Sequence, residues 1–261
     1  ARDPEIKKTI RGLFIPEEGC KWGSFDYSSQ EPRLLVHFAA SITKHYSSTM
    51  VDKIVEEYNK GDVDLHQMVA DFAGISRKEA KVVNLGIMYG MGKAKLANQL
   101  GVSVEEAKRV LEPHQQKVPF VRALANIAST QALDYGVIRT LLGRRCHFHL
   151  YEPKTFKYNK PLPYEDAMKK YGQPLRRAFT YKALNKLIQG SAADQTKKAM
   201  ADCYQEGFLP MLTVHDELCF SIENDEQVVR IKDLMENGLS DILKVPSKVD
   251  DEITNNWGEV E

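Results

Sequence analysis

The sequence has no surplus of either charge: Lys and Arg together number 36, Asp and Glu also 36, and the formal net charge is zero. A chain-wide electrostatic grip on a polyanion is thereby excluded, so any affinity for nucleic acid must come from a local basic face. Cysteine is scarce. Cys20, Cys146, Cys203 and Cys219 lie far apart, with no CxxC pair and no zinc-ligand spacing. They are expected to be reduced, mostly buried thiols of an intracellular, cytoplasmic protein. No apolar run is long enough to span a bilayer and no signal peptide is visible, so no membrane partner is expected. Internal repeats are also lacking.

What is present is a chain of 261 residues, enough for one large domain or two interleaved ones with a real core. It begins Ala1-Arg2-Asp3 without an initiator Met, which suggests a piece of something longer. Three short stretches carry its chemistry: Phe25-Asp26-Tyr27-Ser28-Ser29-Gln30-Glu31-Pro32-Arg33, Arg77-Lys78-Glu79-Ala80-Lys81 running on to Tyr89-Gly90, and Val214-His215-Asp216-Glu217. The first and third supply carboxylates and the second supplies cations. Two acidic residues from distant turns can hold a pair of divalent metals, and a helix with Arg and Lys four residues apart can grip a triphosphate.

Trp22-Gly23-Ser24-Phe25 reads as a strand leading into Asp26, and Ser28 with Glu31 as a capping box that opens a helix. Pro32 is tolerated there in the first turn, and Leu34, Leu35 and Phe38 repeat at helical spacing. From about 41 to 136 the pattern is nearly all helical, with Ser76 and Glu79, and Ser103 and Glu106, as two further capping boxes. Residues 136–142 look like a strand, and 144–178 like a partly irregular excursion rich in basic, aromatic and proline residues. A helix is expected over about 180–205, strands over 211–214 and 218–222 with His215-Asp216-Glu217 at their turn, a helix over about 225–243, and an edge strand at 249–253.

At 100° per residue, Arg77, Lys81, Asn84, Leu85 and Met88 share one broad helix face with Tyr89 at its margin, which suits phosphates at one end and a base and sugar at the other. An isolated RxxxK is most often only a solvated face, and an Asp in a turn is usually structural. His215-Asp216-Glu217 between two apolar strands says more, because adjacent charges at a tight turn gain little from packing and a metal would relieve their repulsion.

Together the three stretches resemble motifs A, B and C of family A DNA polymerases, the polymerase I type, which the family writes approximately as DYSxxExR, RxxxKxxxFGxxYG and VHDE in this order. Asn185 to Asp194 is similar to the family's template-contacting helix, and Thr140 to Arg145 to the hairpin before it. The similarity covers almost the whole chain, and its texture looks more like phage-encoded members than cellular ones. The resemblance implies an α+β fold: a palm with a small antiparallel sheet backed by helices, from residues 1–38 and 139–261, with mostly helical fingers at 39–138 and no thumb. It implies two Mg²⁺, with Mn²⁺ as a substitute, held by Asp26, Asp216 and the carbonyl of Tyr27, and Glu217 as a supporting carboxylate. Arg77, Lys81 and His66 would contact the phosphates, Lys81 also as proton donor to pyrophosphate. Glu31 would bar a ribose 2′-hydroxyl and partner Tyr89, which stacks at the template position. Arg33, Asn185, Gln189 and His215 would touch primer or template; the pairs Arg144-Arg145 and Arg176-Arg177 are candidate phosphate contacts, with a solvated basic loop as the alternative reading. The implied partners are primer-template DNA, deoxynucleoside triphosphates, and an upstream thumb and exonuclease portion or a separate chain carrying it.

The sequence departs from the family pattern in three places. Leu85 stands where Phe or Tyr is usual, Tyr181 stands where Arg is common, and the chain starts after the thumb with no proofreading motifs. The implied activity is template-directed DNA synthesis. The alternative is a palm and fingers module that binds nucleotide and metal and needs another chain for DNA. A two-metal nuclease would have no use for Arg77, Lys81 and Tyr89 on one helix, and Glu31 opposes a ribonucleotide polymerase.

Overall fold

β1, Lys21–Tyr27, alternates cleanly: Phe25 and Tyr27 turn to one side and Trp22, Ser24 and Asp26 to the other. The computed structural model describes residues 4–42, 49–61, 63–88, 91, 93–117, 119–155 and 159–260. Tyr89 and Gly90 of the central motif, and His45, lie outside the described residues.

The chain divides into two packing units, Ala1–Leu34 with Ala192–Glu261, and Leu35–Ser191. In the first, an antiparallel sheet joins strands in the order β7 (Leu212–Val214), β8 (Glu217–Ile222), β1 and β9 (Val249–Thr254). Phe25, Tyr27, Leu218, Phe220, Ile222 and Val249 turn one face onto Ala199 and Cys203 of α10 (Ala183–Gln205) and Ile231 and Met235 of α11 (Asp225–Asn237). The Tyr27 hydroxyl donates to the carbonyl of Met235 at 2.8 Å within that core. Burial pushes the Cys203 thiol up to about 12 and raises the Cys219 thiol as well, so both behave as inert apolar fillers. β9 is the edge strand expected.

α1, Pro4–Arg11, was not foreseen. It packs on the turn at Trp257–Glu259, where Arg11 lies 4.4 Å over the Trp257 ring and Phe14 meets it edge-on at 5.4 Å. A Cβ on Gly258 would stand 2.7 Å from Gly12 N and Lys8 O, so only glycine lets this turn close on α1.

The second unit is mostly helical: α2 (Gln30–Ser41, begun in the first unit), α3 (Thr49–Lys60), α4 (Leu65–Ala73), α5 (Arg77–Met88), α6 (Lys93–Leu100), α7 (Val104–Lys117) and α8 (Pro119–Tyr135). The capping boxes at Ser76 and Glu79 and at Ser103 and Glu106 open α5 and α7 as expected, each Glu accepting from the Ser backbone N–H while the Ser hydroxyl accepts from the Glu N–H. The box expected at Ser28 and Glu31 does not open α2. The helix starts at Gln30 behind a left-handed Ser29, which puts Ser28 and Glu31 one position out of capping register, and Ser28 N–H bonds Lys248 O instead.

The excursion expected to be partly irregular forms regular elements over much of its described length. After the hairpin of β2 (Val137–Arg139) and β3 (Arg145–His147), β4 (Leu150–Pro153) sits between β5 (Leu162–Pro163) and β6 (Leu175–Arg177), with α9 (Tyr164–Tyr171) packed on the three. Arg177 holds this piece together by donating to Phe148 O at 3.0 Å and Leu133 O at 3.1 Å, while Arg176 pairs with Glu152 at 2.9 Å. Both arginines are thus engaged with groups of the chain itself. Residues 139–191 pack with the helical unit, whereas the sequence reading grouped them with 192–261. No described helix is long and apolar enough to cross a membrane.

Candidate active site

The sheet unit gathers the carboxylates. Asp26 is the penultimate residue of β1, and the antiparallel register sets Glu217 of β8 opposite it on one side and Asp250 of β9 on the other. Directly opposed residues share a sheet face, so three acidic side chains meet there and repel. Partial burial, then the charges of Asp216, Glu217 and Asp250, push the Asp26 carboxyl up to about 6.

Asp216 lies in the two-residue turn between β7 and β8, where Val214 pairs with Glu217. Its neighbour His215 adopts φ 57°, a left-handed conformation that costs a side-chain-bearing residue energy and is common at functional turns. Partial burial raises the Asp216 carboxyl, helped by Glu217 and opposed by its own backbone N–H and by His215. Glu217 itself is tied down. Its Oε1 accepts from the Ser24 hydroxyl and from the Trp257 indole N–H at 3.0 Å.

Among the described residues no group of three or more His, Cys, Asp or Glu is arranged to hold a metal. The donor set nevertheless suits one class of ion. Mg²⁺ takes hard oxygen ligands and is usually held by one or two carboxylates together with water and substrate phosphates. Asp26 and Asp216 supply such oxygens; partial burial is the main cause of their raised pKa values, and at Asp26 the neighbouring carboxylates add a repulsion that a divalent cation relieves.

Arg33, expected to touch DNA, is 7% exposed and donates to Ser28 O at 2.9 Å and Pro246 O at 2.8 Å. Its guanidinium clamps the turn after β1 to the segment before β9. Tyr27 is likewise a core residue through its side chain, leaving only its backbone for a metal.

The helical unit holds the cations. Arg77, Lys81 and Leu85 follow at one-turn spacing along α5, the first two exposed and Leu85 half-buried. On the opposite side Val83 packs with Leu96 and Leu111. Asp64 caps α4, its Oδ1 accepting from the backbone N–H of His66 at 2.9 Å and Gln67 at 3.1 Å, while its Oδ2 accepts from Arg77 Nε at 2.5 Å. Despite partial burial, these bonds hold the Asp64 carboxyl below its usual range. His66 is half-buried in the first turn of α4, with Nδ1 3.2 Å from Nδ2 of Asn84. Burial lowers its pKa; Asp64 opposes the shift, and Lys81 and Arg77 reinforce it. The helical unit thus brings His66, Arg77 and Lys81 around the start of α4 and α5.

Asn185 and Gln189 stand one turn apart on α10, half-buried and exposed respectively. The turn after β2 docks on the same helix. Leu141 N–H donates to Ser191 Oγ at 2.9 Å and Arg144 donates to Gly190 O at 2.7 Å. A Cβ on Gly190 would meet Thr140 at 2.6 Å, so glycine permits the approach. Arg145 is exposed on β3. Glu31 is half-buried in the first turn of α2.

Several supports escaped the sequence reading: Ser24 and Trp257 behind Glu217, Asp250 beside Asp26, and Asp64 and Asn84 behind Arg77 and His66. Asp64 had a visible signal, an N-cap residue two places before His66.

The model of DNA polymerase family A matches residues 2–259. The chain belongs to DNA polymerase family A. It is 35% identical to a DNA-directed DNA polymerase of Pseudomonas phage M6 over 99% of this chain and 41% of that protein. It is 31% identical to DNA polymerase I of Pseudomonas aeruginosa over 97% of this chain and 26% of the relative. Among solved structures it is similar to the POL domain of Pol1 from M. smegmatis, in complex with DNA primer-template and dNTP, with a TM-score of 0.72 and 29% identity over 96% of this chain and 42% of that one. This polymerase segment therefore spans less than half the length of each of these relatives.

Proposed function

We propose that this polymerase segment transfers deoxynucleotides to a primer 3′-hydroxyl under the direction of a template, as the palm (1–38 and 139–261) and fingers (39–138) of a longer enzyme. The observation that carries the reading is the meeting of Asp26 with Glu217 across the β1–β8 ladder, with Asp216 in the adjoining turn. Asp26, Asp216 and the carbonyl of Tyr27 would hold a pair of divalent cations, Mg²⁺ or Mn²⁺. Bound there, the ions would supply a lowered pKa for the primer hydroxyl and neutralise the leaving pyrophosphate.

The remaining work falls to side chains. Arg77, Lys81 and His66 bind the triphosphate, with Lys81 exposed and able to give a proton to pyrophosphate. Glu31 would bar a ribose 2′-hydroxyl, and Leu85 faces the sugar. Asn185, Gln189, His215, Arg144 and Arg145 lie along primer and template. The M. smegmatis domain, solved with primer-template and dNTP, supports DNA and nucleotide as ligands.

A second reading draws on the 41% coverage of the phage M6 relative: the segment binds nucleotide and metal but extends a primer only with the rest of the polymerase. Primer extension tests both. Asp26→Ala and Asp216→Ala are each expected to lower transfer by more than the roughly 10²–10⁴-fold of a lost general acid or base. Near-normal extension by either variant in Mg²⁺ rejects the assignment. Extension restored only by an added upstream portion selects the second reading.

A further inference from the structure

His66 has one ring nitrogen already committed. Nδ1 lies 3.2 Å from the amide nitrogen of Asn84, a residue with no exposed surface, on the helix that also carries Arg77 and Lys81. An amide nitrogen only donates, so Nδ1 must accept, and the single proton of a neutral imidazole is then left on Nε2. The ring is anchored from its other end as well, because the His66 backbone N–H is bonded to the Asp64 cap.

We propose that Asn84 is a positioning residue that fixes the tautomer and orientation of His66, so that Nε2–H is the group offered to the nucleotide's triphosphate. The inference rests on the reading of His66 as a phosphate contact. It assigns Asn84 a task distinct from packing. An imidazolium would set an N–H at Nδ1 against the Asn84 amide N–H, so the contact resists protonation. The charged groups acting on His66, Asp64 from α4 and Lys81 and Arg77 from α5, leave its pKa below the usual value once burial is included. The site would then meet the triphosphate with two cations, Lys81 and the Asp64-paired Arg77, and one neutral directed donor. A neutral donor adds directional hydrogen bonding without adding to the field that must be released when pyrophosphate leaves.

The test is two-bond ¹H–¹⁵N correlation on the whole chain labelled in histidine, with His66 assigned by its disappearance in His66→Gln. Wild-type protein at neutral pH is expected to show Nε2 protonated and Nδ1 bare. A ring protonated at Nδ1, or shifts averaged between tautomers, overturns the inference without any variant having to fold. Asn84→Asp, which puts an acceptor where the donor was, is expected to move a proton to Nδ1 and raise the His66 pKa by about one unit or more. Asn84→Leu is expected to release the single tautomer. A His66 signal unmoved in both variants also overturns the proposal. Calorimetric titration with inorganic triphosphate separates the two layers: several-fold weaker binding by His66→Gln is expected. Unchanged binding with the expected tautomer pattern rejects the phosphate role alone and leaves the Asn84–His66 relation standing.

Discussion

Trp257 donates its indole N–H to Oε1 of Glu217 at 3.0 Å, tying the last turn of the described chain to the strand that carries the candidate site. The same oxygen accepts from Ser24 on β1. Glu217 is therefore aimed by two elements distant in sequence, and the indole is itself braced by Arg11 and Phe14.

Replacing Trp257 by Phe keeps most of the ring packing and removes the donor. The expected cost is about 1–2 kcal/mol, because a hydrogen bond to a charged group is lost from a half-buried carboxylate. Chemical denaturation of wild type and Trp257→Phe measures it. An unchanged midpoint would mean that the bond contributes nothing to the folded state.

The Asp26 carboxyl, raised to about 6, makes cation binding depend on pH. A group whose folded pKa exceeds its unfolded value near 3.9 adds stability below the unfolded value and loses that contribution as pH rises through the folded one. Protons and a divalent ion compete for the same oxygens, so Mn²⁺ affinity should climb between pH 5 and about 7 and then level off. Titration calorimetry at those values checks the direction, and affinity independent of pH would remove Asp26 from the ligand set.

Leu85 sits one turn beyond Lys81, half-buried, where the family usually carries an aromatic residue. A Tyr hydroxyl at that place can stand in for a missing sugar 3′-hydroxyl, and leucine cannot. Strong rejection of dideoxynucleotides is expected from the native enzyme. Leu85→Tyr should gain in their use, since a hydrogen bond in a desolvated site contributes on the order of 1 kcal/mol or more to one substrate selectively. Competitive incorporation gives the ratio, and identical ratios would turn Leu85 away from the sugar.

Asp64 performs two tasks that substitution can separate. Asn caps a helix about as well as Asp does, whereas Ala loses about 1 kcal/mol, and an exposed ion pair contributes little. Asp64→Asn should therefore fall within a few tenths of wild type in denaturation, with Asp64→Ala clearly below both. Equal losses would transfer the stabilisation from the cap to the Arg77 pair.

Much of this was legible in the sequence because local signals agreed with the final fold. Phe25 and Tyr27 alternate with Ser24 and Asp26, Ser76 and Glu79 announce α5, and the VHDE turn falls between two β-rich runs. The supports were not legible, since Trp257 reaches Glu217 and Arg33 reaches Pro246 only after distant strands pair. The β4–β6 sheet escaped because its strands are two to four residues long, too short for alternation to show, and are interrupted by Pro153 and Pro163. α1 is short, eight residues, and its two isoleucines, Ile6 and Ile10, share one helix face but stay exposed.

β1 lies inside its sheet with β8 on one side and β9 on the other, both from the far end of the chain. During synthesis it emerges long before either neighbour, with both hydrogen-bonding edges unpaired. The helical segments of Leu35–Ser191 can form from local contacts in the meantime, but β1 must wait until residues 217–254 have been made. Contacts of such long sequence separation are slow to close. The sheet that joins Asp26 to Glu217 can therefore assemble only after Leu35–Ser191 has been made, and a nascent chain stopped before residue 217 would carry Arg77 and Lys81 on α5 while β1 still lacked both of its partners.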